Sequence, residues 1–129
     1  MNKLKAGVDY PEWYKDRSLQ TISRGYLQKE ETPKDAYYRV AVAAASRLQM
    51  PELAQEFFDI MWNGWLGPAS PVLSNMGTDR GLPISCFSLS IKDSVDGIYK
   101  GVHEMAMLTK VGGGVGLYAG NIRGRGARS

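Results

Sequence analysis

The chain has 129 residues, a net charge of +3, 43% hydrophobic content and 22% charged content. That is enough for one small domain or part of a larger one, and too little charge by itself to point to nucleic acid. The single cysteine excludes an internal disulfide framework and suits a reducing cytoplasm, while no stretch is long and apolar enough to span a bilayer and no apolar run at the N-terminus reads as a signal peptide.

Met1–Asp9 is polar and is expected to be loosely held. Tyr10-Pro11-Glu12-Trp13 is expected to open a short helix, with Pro in its first turn. Thr32-Pro33-Lys34-Asp35 is a stronger start signal: Thr32 can cap, Pro33 fits the first turn and Asp35 suits the positive helix end. Ala36, Tyr37, Val40, Ala41, Ala44 and Leu48 then recur at helical spacing, and the alanines leave room for a close neighbour. That neighbour is expected to start at Pro51, with Leu53, Phe57, Ile60, Met61 and Trp65 on one packing face. Residues 1–66 are therefore expected to form a helical lead-in. From Gly64 to Gly81 the pattern changes. Two prolines, Pro68 and Pro71, and little periodicity predict a loop or irregular strand carrying Ser70, Ser74 and Asn75 towards the next element.

The next element organises the second half, residues 67–129. Ile84, Cys86, Ser88 and Ser90 alternate with Ser85, Phe87, Leu89 and Ile91, a period of two that predicts a strand. Lys92-Asp93-Ser94 reads as a turn and helix cap, followed by a helix over 94–110 with Val95, Ile98, Val102, Met105 and Leu108 on its apolar face. Gly112-Gly113-Gly114 stops that helix, and Val115–Ala119 reads as a second strand. Strand, helix, strand at this spacing predicts parallel strands with a right-handed crossover. Two parallel strands need cover on both faces, so unfinished sheet edges are expected.

The glycine run follows a helix and precedes a strand, so it is neither a P-loop nor a dinucleotide fingerprint, in which glycines open a helix onto a phosphate. It is either a helix cap with a tight turn or a place of close backbone approach to a ligand. Cys86 has two readings as well: a small buried hydrophobe, or a redox thiol that needs a partner the chain does not supply. His103 stands alone on a helix and reads as a polar surface residue, not a metal ligand. Asp93 reads first as a helix cap; yet it ends a strand, where α/β folds place ligands, and Arg123 ends the second strand. An acid for sugar hydroxyls and an arginine for phosphates on one edge would suit a nucleotide.

Pro68–Asn75, Leu82–Phe87, Asp93-Ser94, Gly112–Leu117 and Ile122-Arg123, in this order and spacing, resemble the amino-terminal portion of the catalytic barrel of the ribonucleotide reductase large (alpha) subunit. The resemblance implies an α/β fold: a helical lead-in followed by the first strands of a ten-stranded α/β barrel, incomplete in this chain. It implies that Cys86 is one of two redox cysteines that deliver reducing equivalents, and that Ser70, Ser85 and Gly114 lie among the positions around the substrate ribose and diphosphate. It implies an allosteric effector site for ATP or a deoxynucleoside triphosphate at Asp93 and Arg123, and a contact with a second large subunit through helix 94–110. No metal or other cofactor is implied in this chain; the radical generator lies elsewhere, as a metal cofactor of the small subunit or as cobalamin.

The resemblance implies that the radical cysteine, its Glu and Asn and the second redox cysteine lie further along the barrel, and that the C-terminal thiols that re-reduce the disulfide are missing here too. The chain is therefore expected to be inactive alone, to represent a truncated or split large subunit lacking the amino-terminal ATP cone, and to work in the cytoplasm with the carboxy-terminal remainder. Two other readings stand beside this one: a non-catalytic nucleotide-binding regulatory module using Asp93 and Arg123, and a basic nucleic-acid binder using Arg123, Arg125 and Arg128.

Overall fold

A computed structural model describes residues 10–127, so the expectation for Met1–Asp9 lies outside the described residues, as do Arg128 and Ser129. The chain forms two compact units, residues 1–83 and 84–129. The division falls after Pro83, so residues 67–83, expected with the barrel, belong to the helical unit.

In the first unit, α1 (Asp16–Ile22) begins later than expected. Tyr10–Lys15 is not helical; a turn closes there as Tyr14 N–H donates to the Pro11 carbonyl at 2.9 Å. The second helix, α2 (Pro33–Arg47), starts where its signals predict. Thr32 Oγ1 accepts from the Asp35 N–H at 3.2 Å, and the Asp35 carboxylate accepts from the Thr32 N–H at 2.9 Å, closing a reciprocal cap. The Thr32 hydroxyl and N–H also hold the Asp35 carboxyl below its ordinary range. Ala36, Ala41 and Ala45 are fully buried, which lets α3 (Ala54–Trp62) pack closely after a single 3-10 turn at Pro51–Leu53.

Two residues expected on packing faces are not there. Leu48 is exposed because it follows the last turn of α2, and Trp65 is 80% exposed. The reason for Trp65 is local. Gly64 takes φ +78°, its N–H donates to the Met61 carbonyl, and the Trp65 N–H donates to the Ile60 carbonyl, each at 3.0 Å. This is a Schellman motif, and it turns the chain away one residue before Trp65. Phe58 is buried beside the expected Met61, and Trp62 packs against the core with the expected Phe57 and Ile60.

The stretch expected as a loop or irregular strand contains a helix, α4 (Ser70–Asn75), and Leu73 from it completes the core with Tyr14, Ile22, Tyr37 and Val40. Pro71 is tolerated because first-turn N–H groups have no intrahelical acceptor. Arg39 fastens α4 to α2. It pairs with Glu31 at 2.8 Å and donates to the Leu73 carbonyl at 3.0 Å and to the Met76 carbonyl. Burial would raise the Glu31 pKa, but the hydrogen bonds from Arg39 and the Gln28 N–H, with the guanidinium charge, hold it below the usual value. Burial pushes the Tyr14 hydroxyl up, with the neighbouring Tyr37 and Tyr10 adding to it.

The second unit is a strand–helix–strand unit, as the spacing predicts. β1 (Cys86–Ser90) and β2 (Gly114–Tyr118) pair in parallel, in the register Cys86 with Gly114 through Ser90 with Tyr118. Between them runs α5 (Val95–Lys110). Its cap is Ser94, whose side chain accepts from the Gly97 N–H at 3.0 Å; Asp93 is not the cap. The inner face of α5 is rotated from the expected one. Gly97 and Gly101 are buried and Ile98, Met105 and Leu108 half-buried, whereas Val95 and Val102 are exposed. At Gly97 a side chain would lie 2.7 Å from Lys92 Cβ, so the missing side chain makes room for the turn that leads into α5.

Candidate functional site

Alternation along β1 decides where the cysteine stands. Cys86, Ser88 and Ser90 are exposed, while Ser85, Phe87 and Leu89 are half-buried on the opposite face. Of the two readings of Cys86, the buried hydrophobe is therefore corrected: the thiol is exposed and free. The register sets Gly114 beside it and Gly116 beside Ser88, so the strand neighbouring the thiol presents no side chain at either position. Gly114 and Cys86 are thus brought together. Ser85 points to the other face of the strand, and its carbonyl accepts from the Gly114 N–H.

The glycine run divides its work. Gly112 has φ +89°, its N–H donates to the Thr109 carbonyl and the Gly113 N–H donates to the Leu108 carbonyl, each at 2.9 Å. This closes α5 as a second Schellman motif. At Gly113 a side chain would sit 2.9 Å from the Phe87 ring and 2.8 Å from the Leu108 carbonyl, so the chain itself fills that space. Gly112 and Gly113 are a cap and a tight turn; Gly114 faces the thiol's side of the sheet.

At the carboxyl ends of the strands Asp93 and Arg123 meet. Arg123 Nε lies 2.7 Å from Asp93 Oδ2, and Arg123 Nη2 donates to the Asp93 carbonyl at 3.2 Å. Both side chains are about one-third exposed, within reach of a solute. The edge also holds a residue that periodicity did not mark: Asn121 Nδ2 donates to Ser90 Oγ at 2.8 Å. Its signal was position, two residues before Arg123 at the end of a parallel strand.

Ser70 lies in the other unit, at the first turn of α4, where its Oγ accepts from the Tyr26 hydroxyl at 3.0 Å. Both residues line a cavity of about 430 Å³ with Arg17, Ser18 and Thr21. His103 is exposed on α5, and among the described residues no group of three His, Cys, Asp or Glu side chains is placed to hold a metal ion. No helix among the described residues is long and apolar enough to cross a membrane.

Comparison with known proteins gives two family matches. The all-alpha domain of ribonucleotide reductase matches residues 13–81, and the barrel domain of ribonucleotide reductase matches residues 84–128. The ribonucleoside-diphosphate reductase large subunit of Vaccinia virus is 36% identical over 115 residues, covering 84% of this chain and 15% of the relative. That of Trypanosoma brucei brucei is 34% identical over 105 residues, covering 81% of this chain and 12% of the relative. Among solved structures, the Actinobacillus ureae class Id ribonucleotide reductase alpha subunit superposes with a TM-score of 0.83 at 39% identity, covering 90% of this chain and 22% of that one. The chain therefore spans a small part of the length of the relatives it matches.

Proposed function

The chain belongs to the ribonucleotide reductase large-subunit family, and we propose that it supplies the helical lead-in and first barrel strands of an enzyme reducing ribonucleotides to deoxyribonucleotides. The carboxy-terminal remainder of the large subunit completes the barrel around Cys86. The names of the relatives favour a ribonucleoside diphosphate as substrate.

The observation that carries this reading is the placement of Cys86: a free, exposed thiol on a strand whose neighbour offers glycine beside it. In the reaction, Cys86 and a second cysteine on the remainder lose two electrons and two protons and become a disulfide. One proton leaves with the 2′ hydroxyl as water; the other, with the electron pair, ends on the 2′ carbon. The radical that activates the ribose comes from a generator outside this chain, a small-subunit metal cofactor or cobalamin. Gly114 lines the substrate on the thiol's face of the sheet, Ser85 on the opposite face has its backbone carbonyl on the Gly114 N–H, and Ser70 binds the diphosphate. Asp93 and Arg123 take an effector nucleotide, ATP or a deoxynucleoside triphosphate. The exposed Val95, Tyr99, Val102 and Met107 of α5 are covered by a second large subunit.

The test mixes this chain with a polypeptide carrying the remainder and a radical source, and measures deoxynucleotide formation. Cys86→Ser is expected to abolish turnover supported by a thioredoxin-type reductant; full turnover by that variant removes the thiol from the mechanism. A second reading, a regulatory module binding nucleotides without catalysis, is favoured by one observation: Asp93 and Arg123 already meet within one unit of this chain. Titrating the chain alone with dTTP separates the two, since tight binding without the remainder supports the module.

A further inference from the structure

We infer that Tyr26 is a positioning residue for Ser70, fixing the serine hydroxyl as a donor towards an anionic group in the adjoining cavity. This rests on the proposal that Ser70 binds the substrate diphosphate. The Tyr26 hydroxyl donates to Ser70 Oγ at 3.0 Å across 44 residues of sequence. A phenol is the stronger donor and the weaker acceptor of the two groups, so this polarity is the favoured one. With its oxygen occupied from one side, the Ser70 proton is free to point away, and a phosphate oxygen can only accept.

A second strap holds the same two segments in register. Arg80 Nη2 donates to the Gly25 carbonyl at 3.0 Å and to the Ser74 carbonyl at 3.3 Å. Gly25 immediately precedes Tyr26, and Ser74 lies one helical turn after Ser70. The phenol and the serine are therefore tied at their backbones as well as through their hydroxyls. They open onto the cavity of about 430 Å³, whose wall also carries Arg17, a cation for the same anion.

The test is a double-mutant cycle in the enzyme assembled from this chain and the remainder of the large subunit, with a ribonucleoside diphosphate as substrate. Tyr26→Phe removes only the donor oxygen and is expected to raise KM by about five- to tenfold with little change in kcat, the size of one lost hydrogen bond. Ser70→Ala is expected to raise KM at least as much, and the double variant no further than Ser70→Ala alone. If Ser70→Ala raises KM while Tyr26→Phe leaves it unchanged, or lowers only the melting temperature, the positioning role is overturned and the Ser70 reading stands. If Ser70→Ala itself leaves KM unchanged, the substrate role of Ser70 fails, and the role of Tyr26 with it.

Discussion

The helical unit and the strand–helix–strand unit carry ion pairs of nearly the same length in different settings. Glu31 and Arg39 are 2.8 Å apart with side chains 9% and 14% exposed, and Arg39 also serves two carbonyls of the α4 region. Asp93 and Arg123 are 2.7 Å apart and about one-third exposed. The first pair is enclosed and fully engaged in holding helices together; the second keeps a face to solvent. The same contrast runs through the apolar residues. Tyr14, Ile22, Tyr37, Val40, Phe58, Met61 and Leu73 form a core for residues 1–83, whereas in residues 84–129 Ile91 alone is a buried apolar side chain among those described. Parallel strands are ordinarily covered on both faces. The helical unit carries its own interior; the sheet unit leaves Leu117 and Tyr118 of β2 exposed.

Cutting into the two interiors tests this contrast most severely. Phe58→Ala is expected to cost about 3–5 kcal/mol in chemical denaturation of the chain. Leu117→Ala, at 40% exposure, is expected to cost less than about 1 kcal/mol. Equal losses would mean that the sheet unit has a core of its own.

The ion pairs come next. Glu31→Gln leaves Arg39 without its counter-charge and is expected to cost about 2–3 kcal/mol, whereas Asp93→Asn, at an exposed pair, should cost about 1 kcal/mol or less. The pH dependence follows from the lowered Glu31 pKa. Its contribution is present above the ordinary value of 4.5 and is lost as pH falls through the lower, folded-state value. An acid titration of stability should therefore show a loss below about pH 4.5 that Glu31→Gln reduces, the rest belonging to Asp35, whose carboxyl is likewise held below its ordinary range.

The smallest effect concerns helix ends. Gln49 follows α2 at φ +58°, with its N–H on the Ser46 carbonyl and the Met50 N–H on the Ala45 carbonyl, each at 3.0 Å. It occupies the place that Gly64 and Gly112 take at the ends of α3 and α5. Gln49→Gly is expected to raise stability by about 0.5–1 kcal/mol, measurable as a higher denaturation midpoint.

Features written in periodicity or punctuation were legible in the sequence. Thr32-Pro33 and Asp35 located the start of α2, the alternation of residues 84–91 located β1, and the glycine run located the end of α5. The parallel pairing followed from the spacing, and it brought Asp93 and Arg123 to one edge as expected. α4 was hidden because six residues make under two turns, too short for a period to show, and Pro71 in its first turn looks like a breaker. The inner face of α5 was read in part: Ile98, Met105 and Leu108 lie on it, but Val95 and Val102 do not, and the buried Gly97 and Gly101 carry no apolar side chain for a period to show. The Tyr26–Ser70 bond spans segments far apart in sequence, and nothing local announces it.

Gly113 joins two parts of the sheet unit at one point. Its N–H closes the last turn of α5, and a side chain on it would run into the ring of Phe87, the residue next to Cys86. An absent methyl group thus sets the gauge between helix and thiol. Alanine there would wedge the two apart, displacing the Cys86 sulfur without altering a single atom of the cysteine.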